Sequence, residues 1–554
     1  MPTLNWIGKE KVINHHQDVP YKILEPQYGF TDGVQQSEPN DSGNKIIHGD
    51  NLEALKSLLP EYEGRVKCIY IDPPYNTGNE SWVYNDNVNH PKIKKWLGEV
   101  VGKDGEDLTR HDKWLCMMYP RLKLLHKLLA KDGAIFISLD DNEQANLKLV
   151  CDEIFGISNY VRTVACVNNP KGRSDDKYIA TAHETITIYR KSSELTLGGF
   201  EPDIKITKRY NKSDEKGIYR EIDLRKTGDG DTRIDRPNMY YPFIFNKKSQ
   251  DFKVINLEDK IPNDYIVIYP MKSNIEEGRW RWGFENSIQN IDKLYPKYMP
   301  SKKQWSVFEK DYLDNRENVK PTSVWDFKEV NSERGTEMFI KHLGFNKSDF
   351  PNPKPVGTIE RILSIATDKN SIVLDSFAGS GTTAQAVLNL NKDGGHRKFI
   401  IIEMEDYANK ITAERIKRVI NGFGDIKKTE GTGGSFNYYQ LGEPLFLEED
   451  VLNEAVGLEN ILKYIWYSET RTSYSSTTHS LVEENYRIGS KDQTDYYFYY
   501  SKDAVTTVDY DFMAKIKHKA SQYIIYADNC LLEKDFMLKH HIIFKKIPRD
   551  ITRF

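Results

Sequence analysis

An apolar segment that stops at two consecutive prolines constrains the fold of this chain more than any other feature. Residues 66–71 have the composition of a buried β-strand, and Asp72-Pro73-Pro74-Tyr75 follow directly. Proline has no backbone N–H to donate, so the strand cannot continue its hydrogen-bond ladder and the chain must turn. The turn holds a carboxylate and an aromatic ring at the strand end, which suits a flat heterocycle with an exocyclic amine. Asp-Pro-Pro alone also marks ordinary surface turns, so this interpretation needs a second motif.

The second motif is a glycine turn between a short strand and a helix. Residues 371–375 contain the apolar run Ile372-Val373-Leu374 of a short predicted strand, Gly379 and Gly381 follow, and a helical pattern comes next. Glycine lets the backbone approach a ligand closely and adopt left-handed conformations. In a doubly wound α/β fold the ligand lies at such a turn. Residues 397–403 form the next predicted strand, which ends in Glu403 at a spacing from the glycines that suits an acid binding ribose hydroxyls.

Together the two motifs resemble those of the S-adenosylmethionine-dependent amino-methyltransferases of DNA. The catalytic motif precedes the cofactor motif, as in the permuted group called beta. The resemblance is closer still to the modification (Mod) subunit of type III restriction-modification systems, and it covers roughly residues 40–445. The segments that carry this closer similarity are 48–55, 69–78, 172–174, 183–185, 278–283 and 433–436.

The resemblance implies an α/β fold with a doubly wound, Rossmann-like methyltransferase sheet, an inserted target-recognition domain and a C-terminal extra domain. The sequence pattern agrees, because strand and helix signals alternate over residues 45–191 and resume at 357–420. A helix is predicted over 114–129, with a kink or break at Pro120 and an end at Asp132-Gly133. Strands of the first block are predicted at 66–71, 133–139, 160–167 and 183–189.

The same pattern divides the chain into successive segments. Residues 1–43 are polar and rich in turn formers, the insertion is rich in Tyr, Asn, Pro and Trp, and the tail has its own polar run. The predicted domains are an N-terminal lead-in (1–43), a catalytic half (44–191), a target-recognition domain (192–340), a cofactor half (341–445) and a C-terminal association domain (446–554).

By the resemblance, the catalytic residues are Asp72, Pro73, Pro74 and Tyr75. The exocyclic amine of adenine is a poor nucleophile because its lone pair is delocalised into the ring, and acceptors for its N–H groups help to localise that pair. Asp72 and the Pro73 carbonyl are the implied acceptors, and Tyr75 stacks on the base, worth about 1–3 kcal/mol. Residues 76–110 are predicted to close over an extruded adenine, with an ordinary surface loop as the alternative.

The cofactor implied by the resemblance is S-adenosylmethionine. The glycine turn would line its methionine and ribose, Glu403 would bind its ribose hydroxyls, Asp50 would lie near its adenine and Lys354 beside its carboxylate. The alternatives are a solvated strand end for Glu403 and an ordinary surface charge for Lys354. The residues assigned to the cofactor are Asp50, Lys354, Asp375, Phe377, Gly379, Ser380, Gly381, Thr382 and Glu403.

Sequence recognition is assigned to the insertion. Arg and Asn side chains pair with purine edges in the major groove, but they also serve as phosphate clamps or core pairs. The segment 278–283 has such a structural alternative, with indole rings packed under arginine. The net charge of the chain is −4, so phosphate contacts need a localised basic stripe. The DNA-binding candidates are Asn76, Arg225, Arg233, Arg236, Asn238, Arg279 and Arg281.

Several sequence features weigh against membranes and metals. No apolar run is long enough to cross a bilayer and no export signal is visible. The five cysteines lack Cys-x-x-Cys spacing. We therefore expect a cytoplasmic protein with reduced thiols and without structural zinc. The acids at 138–143 have a spacing typical of divalent-metal ligands. Methyl transfer from a sulfonium needs no metal, so we assign them to a pocket wall and a helix cap and predict no metal.

The function implied is a site-specific DNA adenine-N6 methyltransferase that serves as the modification and DNA-recognition subunit of a type III system. The implied partners are double-stranded DNA, a second copy in a homodimer and a helicase-nuclease restriction subunit. A stand-alone DNA amino-methyltransferase and a non-catalytic DNA-binding module are the alternatives. A cytosine-N4 enzyme is disfavoured, because Asp before Pro-Pro-Tyr is typical of adenine enzymes in the family.

Overall fold

The chain folds into two compact units. One comprises Met1–Gly198 together with Thr322–Phe554, and the other comprises Gly199–Pro321. The computed structural model describes residues 3–77, 110–172, 177–200, 209–273, 275–313, 319–423, 429–447, 451–474 and 486–552.

The described residues of the first unit up to Gly198 contain seven strands and five helices. The strands are β1 Lys22–Thr31, β2 Val34–Gln36, β3 Lys45–His48, β4 Val66–Ile71, β5 Leu129–Leu139, β6 Tyr160–Cys166 and β7 Glu184–Arg190. The helices are α1 Lys9–Val12, α2 His15–Asp18, α3 Asn51–Tyr62, α4 Arg110–Leu128 and α5 Gln144–Phe155.

The second unit and the remainder of the first unit follow in chain order. The second unit contains β8 Lys212–Asp214, β9 Gly217–Asp223, β10 Phe243–Phe245, β11 Phe252–Val254, β12 Ile266–Ile268, α6 Phe284–Gln289, β13 Leu294–Met299 and β14 Gln304–Tyr312. The later strands of the first unit are β15 Val324–Trp325, β16 Ile372–Asp375, β17 Lys398–Glu403, β18 Gly422–Phe423, β19 Thr429–Glu430, β20 Ser435–Pro444, β21 Arg487–Lys491, β22 Thr494–Phe498, β23 Thr507–Val508, β24 Gln522–Ala527, β25 Asn529–Cys530 and β26 Ile542–Lys546. Its later helices are α7 Ser332–Glu337, α8 Val356–Ala366, α9 Thr382–Leu390, α10 Glu414–Asn421, α11 Leu458–Thr470, α12 Tyr510–Lys515 and α13 Lys534–Lys539. Within the described ranges, no helix is both long and apolar enough to span a membrane.

An eleven-stranded sheet joins both ends of the first unit. Its strand order is β15-β6-β7-β5-β4-β16-β17-β3-β20-β1-β2. The strands from β5 through β4, β16, β17 and β3 to β20 are parallel, and antiparallel strands extend the sheet on both sides. β4 and β16 are hydrogen-bonded neighbours, with Val373 opposite Cys68 and Leu374 opposite Ile69. The two separated α/β blocks therefore form one Rossmann-like sheet, which confirms the predicted fold class.

The junction between α4 and β5 differs from the prediction. Pro120 lies inside α4, and the helix ends at Leu128, so the predicted helix end at Asp132-Gly133 was wrong. The pairing of β5 with β4 shifts in register between Val66 and Cys68, which makes room for extra residues in β5. A Cβ on Gly133 would lie 2.9 Å from the Val66 carbonyl oxygen. Glycine is therefore required here by a bulge in the strand rather than by the end of a helix.

The N-terminal segment is part of the sheet, so the prediction of a loose lead-in over residues 1–43 was wrong. β1 pairs with β20 from Lys22 to Thr31. The rings of Tyr28 and Tyr438 stack with centroids 5.1 Å apart, and Phe30 lies 5.4 Å from Phe436. The turn-rich composition of the segment hides these inward-facing aromatic residues, which face the same side of a strand at alternate positions.

The C-terminal residues form a small sheet with the order β21-β22-β24-β26. Its own apolar cluster includes Tyr497, Val508 and Ile525. By their contacts these residues nevertheless belong to the first unit, and α11 packs into the main core through Ile465 and Trp466. The segment 446–554 is therefore a subdomain of the first unit rather than a separate body.

The second unit is shorter than the predicted target-recognition domain. Residues 322–340 belong to the first unit, because Val324 and Trp325 pair with β6 at its edge. The second unit contains two sheets, β11-β10-β12 and β13-β14-β9-β8. Its core is built around Trp280, which is fully buried and contacts Phe243 at a ring-centroid distance of 5.3 Å.

The burial of β1 leads to a stability prediction. Substitution Phe30→Ala removes a buried ring and should lower the free energy of unfolding by about 3–5 kcal/mol, measured by urea denaturation. The matched substitution Val34→Ala lies on β2, where the side chain is 59% exposed, and should leave stability nearly unchanged. Equal, near-zero effects of both substitutions would show that the N-terminal strand does not belong to the folded core.

Candidate active site

The Asp-Pro-Pro-Tyr turn and the glycine turn meet at the carboxyl ends of β4 and β16. Parallel neighbouring strands bring their carboxyl ends to the same sheet edge, so Asp72 and Asp375 both reach one cavity. The cavity is lined by Tyr70, Asp72, Phe350, Asn352, Lys354, Ile359, Asp375, Phe377, Ala378, Gly379, Ser380, Thr382 and Thr383.

A buried ammonium group joins two carboxylates at one end of the cavity. Lys354 Nζ lies 2.6 Å from Glu184 Oε2 and 3.3 Å from Asp72 Oδ1. The contact with Asp72 is an ion pair without hydrogen-bond geometry, and Asp72 Oδ1 is buried with no hydrogen bond from the described residues. Asp72 Oδ1 is therefore ion-paired with Lys354 but can still accept a hydrogen bond.

The same cluster fixes Tyr75. Its hydroxyl donates to Glu184 Oε2 at 2.9 Å and accepts from Lys354 Nζ at 2.5 Å. Next to it, Trp114 Nε1 donates to the Pro74 carbonyl at 2.7 Å, which holds the turn against α4. The ring of Tyr75 is thus held at its hydroxyl end and through the backbone of its own turn.

Burial sets the protonation of this cluster. It raises the pKa of Asp72 to about 6, with Glu184 adding to the rise and Lys354 opposing it. Burial alone would lower the pKa of Lys354, but the charges of Asp72 and Glu184 raise it above its usual value. Lys354 therefore stays protonated, and Asp72 is a carboxylate at neutral pH.

The glycine turn is held from behind by Glu403. Gly379 and Gly381 have φ values of 52° and 84°, in the left-handed region that favours glycine. Gly379 N donates to Glu403 Oε2 at 2.8 Å, and Glu405 N donates to Oε1 at 2.9 Å. Burial raises the pKa of Glu403 to about 7. The alternative of a solvated strand end is wrong, because Glu403 is buried; ribose binding by Glu403 stays a prediction.

Asp375 ties the start of α9 to the end of β16. Its Oδ1 accepts from Phe377 N at 2.9 Å, and its Oδ2 accepts from the Thr383 hydroxyl at 2.5 Å. Burial raises the pKa of Asp375 to about 7. The side chain thus stabilises the shape of the turn that the cavity depends on.

Sequence reasoning missed two residues that shape the site. Glu184 was not among the predicted site residues, although a carboxylate at the start of an apolar strand signals a buried, paired acid. Arg415 lies on α10 and is fully buried, and its Nη1 donates to Ser380 Oγ at 2.6 Å and Thr382 Oγ1 at 2.8 Å. Its position in a helix pattern gave no sign of that contact.

Two residues assigned to the cofactor have other roles in the structure. Asp50 caps α3: its Oδ1 accepts from Leu52 N at 2.7 Å, because the first N–H groups of a helix have no acceptor within the helix. The same oxygen lies 3.5 Å from Arg121 Nη2. Lys354 was assigned to a cofactor carboxylate or to the surface, but its ammonium is engaged by Asp72 and Glu184. Lys354 is not an ordinary surface charge, because its ammonium is buried in the cavity wall, and the cofactor assignments of both residues stay predictions.

Asn76 is also not available to DNA, in contrast to its assignment. It is 1% exposed and donates to Glu143 and to the Arg110 carbonyl at 3.1 Å. Glu143 binds His111 at 2.6 Å as well, and its side chain makes no cap bond to α5. Residues 78–109, most of the predicted closing segment, and residues 173–176 lie outside the described residues.

Four of the arginines assigned to DNA are engaged inside the second unit. Arg233 pairs with Glu277 at 2.9 Å, Arg281 pairs with Glu309, and Arg279 donates to the Gly230 carbonyl at 2.5 Å. Arg225 is buried and donates to the Lys226 carbonyl at 3.1 Å. Each of these four side chains therefore has a protein partner, and its binding to DNA stays a prediction. The remaining candidates, Arg236 and Asn238, are exposed.

Comparisons with known proteins identify relatives of this chain. The family model described as DNA methylase matches residues 66–414, which include both motifs. The chain is 35% identical over 422 residues to the type III restriction-modification enzyme EcoPI Mod subunit of Escherichia phage P1, across 74% of this chain and 64% of that protein. It is 34% identical over 414 residues to the type II methyltransferase M.KpnI of Klebsiella pneumoniae, across 72% and 92%. It is 31% identical over 475 residues to the EcoP15I Mod subunit of Escherichia coli, across 77% and 68%.

These similarities differ in how much of each relative they include. The chain spans less than two thirds of the length of the EcoPI subunit, at 64%, and nearly the whole of M.KpnI, at 92%. The residues matched by the family model, 66–414, include both motifs and all the residues that line the cavity.

The buried acid at β16 makes stability depend on pH. The pKa of Asp375 is raised from 3.8 to about 7 in the folded state, so the folded form binds more protons than the unfolded form between these values. Its contribution to stability is therefore full at low pH and is lost as the pH rises through about 7. We expect the melting temperature of Asp375→Asn to fall less than that of the wild type between pH 5 and about 8. The exposed substitution Asp41→Asn should keep the wild-type slope; a wild-type slope in Asp375→Asn as well would contradict the assignment.

Proposed function

Because this chain belongs to the DNA methylase family, we propose that it transfers a methyl group from S-adenosylmethionine to the N6 amine of adenine in duplex DNA. The observation that carries the proposal is the single cavity that contains both Asp72 and the Gly379 turn. We further propose that it is the modification and recognition subunit of a type III system, located in the cytoplasm, which pairs with a second copy and with a restriction subunit. Its similarity to the EcoPI and EcoP15I Mod subunits supports that part.

The residues of the cavity fit the cofactor. Two rings, Phe350 and Phe377, line it beside the glycine turn, and a Cβ on Gly379 would lie 3.1 Å from Phe350 Cζ, so glycine keeps this space open. Ser380 and Thr382 offer hydroxyls, and the two carboxylates of Asp72 and Glu184 outnumber the one ammonium of Lys354 between them, which favours a cation. When bound, S-adenosylmethionine supplies a methyl group on a positively charged sulfur, so that carbon is already activated.

Asp72 is the residue that prepares the amine. Its buried Oδ1 lacks a hydrogen bond from the described residues and accepts an N–H of the adenine amine, which localises the lone pair on nitrogen. The Pro73 carbonyl is the second acceptor in the turn. Acceptors fixed before the reaction stabilise the developing positive charge on the amine without reorganising.

Tyr75 and its partners position the base. The ring stacks on adenine, and the hydroxyl contacts with Glu184 and Lys354 hold the ring in one orientation. Lys354 also favours the ionised form of Asp72, because its ammonium lies 3.3 Å away. Alignment of the adenine amine nitrogen with the methyl carbon of the cofactor then supplies much of the rate enhancement.

A stand-alone type II methyltransferase is the second candidate. The match to M.KpnI spans 92% of that relative, whereas the match to the EcoPI subunit spans 64% of it. Co-purification with a large ATP-dependent subunit from the native cell would favour the type III role. Isolation of an active enzyme without any such subunit would favour the second candidate.

The proposed activity is tested by methyl transfer from labelled S-adenosylmethionine to unmethylated genomic DNA, followed by digestion to nucleosides. We expect label in N6-methyladenine. Asp72→Ala should lower kcat by about 10²–10³-fold, since it removes a fixed electrostatic contact to the reacting group. The exposed substitution Asp535→Ala should leave kcat unchanged. Label in N4-methylcytosine, or no transfer by the wild type, would refute the proposal.

The charge cluster predicts how activity depends on pH. Because the pKa of Asp72 is raised to about 6 in the ligand-free protein, kcat/KM should fall as the pH decreases through about 6. Glu184→Gln keeps an oxygen for the Tyr75 hydroxyl but removes a charge that raises the pKa of Asp72, so the acid limb should move to lower pH. A lower kcat with an unmoved limb would mean that Glu184 has only a structural role.

A further inference from the structure

Two hairpin tips of the second unit carry paired lysines. The turn between β10 and β11 has the sequence Asn246-Lys247-Lys248-Ser249-Gln250, and the turn between β13 and β14 has Pro300-Ser301-Lys302-Lys303. All four lysines are exposed. Neither turn contains an acidic residue within these positions. We call these four residues, Lys247, Lys248, Lys302 and Lys303, the lysine tips.

The two tips lie side by side although they are about fifty residues apart in the chain. Trp305, which follows the second turn, has its ring 5.3 Å from Phe245, which precedes the first turn. Lys247 Nζ lies 5.1 Å from the centroid of the Trp305 ring. The two turns that carry the four charges are therefore neighbours, with Lys247 over the Trp305 ring.

The backbone of both turns is locally fixed. Asn246 Oδ1 accepts from Lys248 N at 2.8 Å and from Ser249 N at 3.2 Å, which closes the first turn with a buried side chain. Gln250 and Lys303 have φ values of 60° and 50°, so each turn reverses through a left-handed residue. Turns fixed in this way present their charges without first having to be ordered.

The charges of the lysine tips are not neutralised, unlike many others in this unit. Arg220 pairs with Asp311 at 2.7 Å and Lys310 with Asp214 at 2.6 Å, while Lys297 pairs with Glu221 at 2.5 Å. Among the described residues, no carboxylate forms an ion pair with any of the four tip lysines. A nearly balanced unit thus contains one localised basic surface.

We propose that the lysine tips bind the phosphate backbone of duplex DNA. The inference rests on the proposed function for the choice of duplex DNA as the anion. Lysine is a flexible point charge that contacts phosphate without reading bases, so this surface contributes affinity that does not depend on base sequence. It supplies the localised basic surface that a chain with a net charge of −4 needs.

The test is the salt dependence of duplex binding by the full chain, measured by fluorescence anisotropy for Lys247→Gln/Lys248→Gln and Lys302→Gln/Lys303→Gln. Each phosphate contact adds about 0.9 to the slope of log affinity against log salt. Each double variant should therefore lower the slope by about one to two and weaken binding about tenfold at low salt, equally for different duplex sequences. Glutamine keeps most of the side-chain length and a polar end, so the fold should be retained; circular dichroism checks this.

The matched control is Lys216→Gln/Lys293→Gln, which makes the same change in charge. Lys216 precedes β9 and Lys293 precedes β13, toward the opposite end of the sheet from the second tip. The control should keep the wild-type slope. A slope unchanged in the tip variants, or lowered equally in the control, would overturn the proposal, as would a loss confined to one duplex sequence.

DNA binding by the lysine tips and methyl transfer by the active site can be tested separately. If methyl transfer occurs, the tip variants should raise KM for DNA with little change in kcat. If the wild type binds duplex DNA with the expected salt slope but transfers no methyl group, the proposed activity fails while the lysine tips stand. If a duplex does not bind but an acidic protein surface does, the lysine tips bind a different partner and this proposal is wrong.

Discussion

A buried ammonium between two carboxylates is the interaction on which the site depends. Lys354 joins Asp72, after β4, to Glu184, at the start of β7, so three distant parts of the chain meet at one atom. Charges in such a position are costly unless each is paired. Removal of one partner from a buried pair destabilises a protein by about 3–5 kcal/mol, because it leaves an uncompensated charge. The assembled fold and the ionised state of Asp72 are therefore two consequences of the same contact.

The sheet explains why two motifs 300 residues apart act together. β4 and β16 are parallel neighbours, so the turns that follow them open at the same edge. Pro73 and Pro74 end β4, and Gly379 and Gly381 allow the chain to turn after β16. Both turns line the cavity. Behind the turns, Glu403 and Arg415 bind the backbone and hydroxyls of the glycine segment from inside the core.

Local signals made the strands and the two turns predictable, whereas long-range pairing was not visible in the sequence. Pro73, Pro74, Gly379 and Gly381 restrict the backbone wherever they occur, so their positions identified the turns. The pairing of Lys354 with Asp72 and Glu184 depends on which strands are neighbours in the sheet, so the sequence did not indicate it. In the same way, Gly133 indicated a change of direction but could not distinguish a bulge from a helix end. The arginines of the insertion gave no sign of which acids would pair with them.

The most direct test of this account is a crystal structure of the chain with an analogue of S-adenosylmethionine that carries an amine in place of the sulfonium methyl. We expect the analogue to lie against the Gly379 turn, between Phe350 and Phe377, with its amine directed toward Asp72. An analogue bound outside this cavity, or a cavity in which the Asp72 turn and the glycine turn contact different ligands, would contradict the central claim that the two motifs form one site.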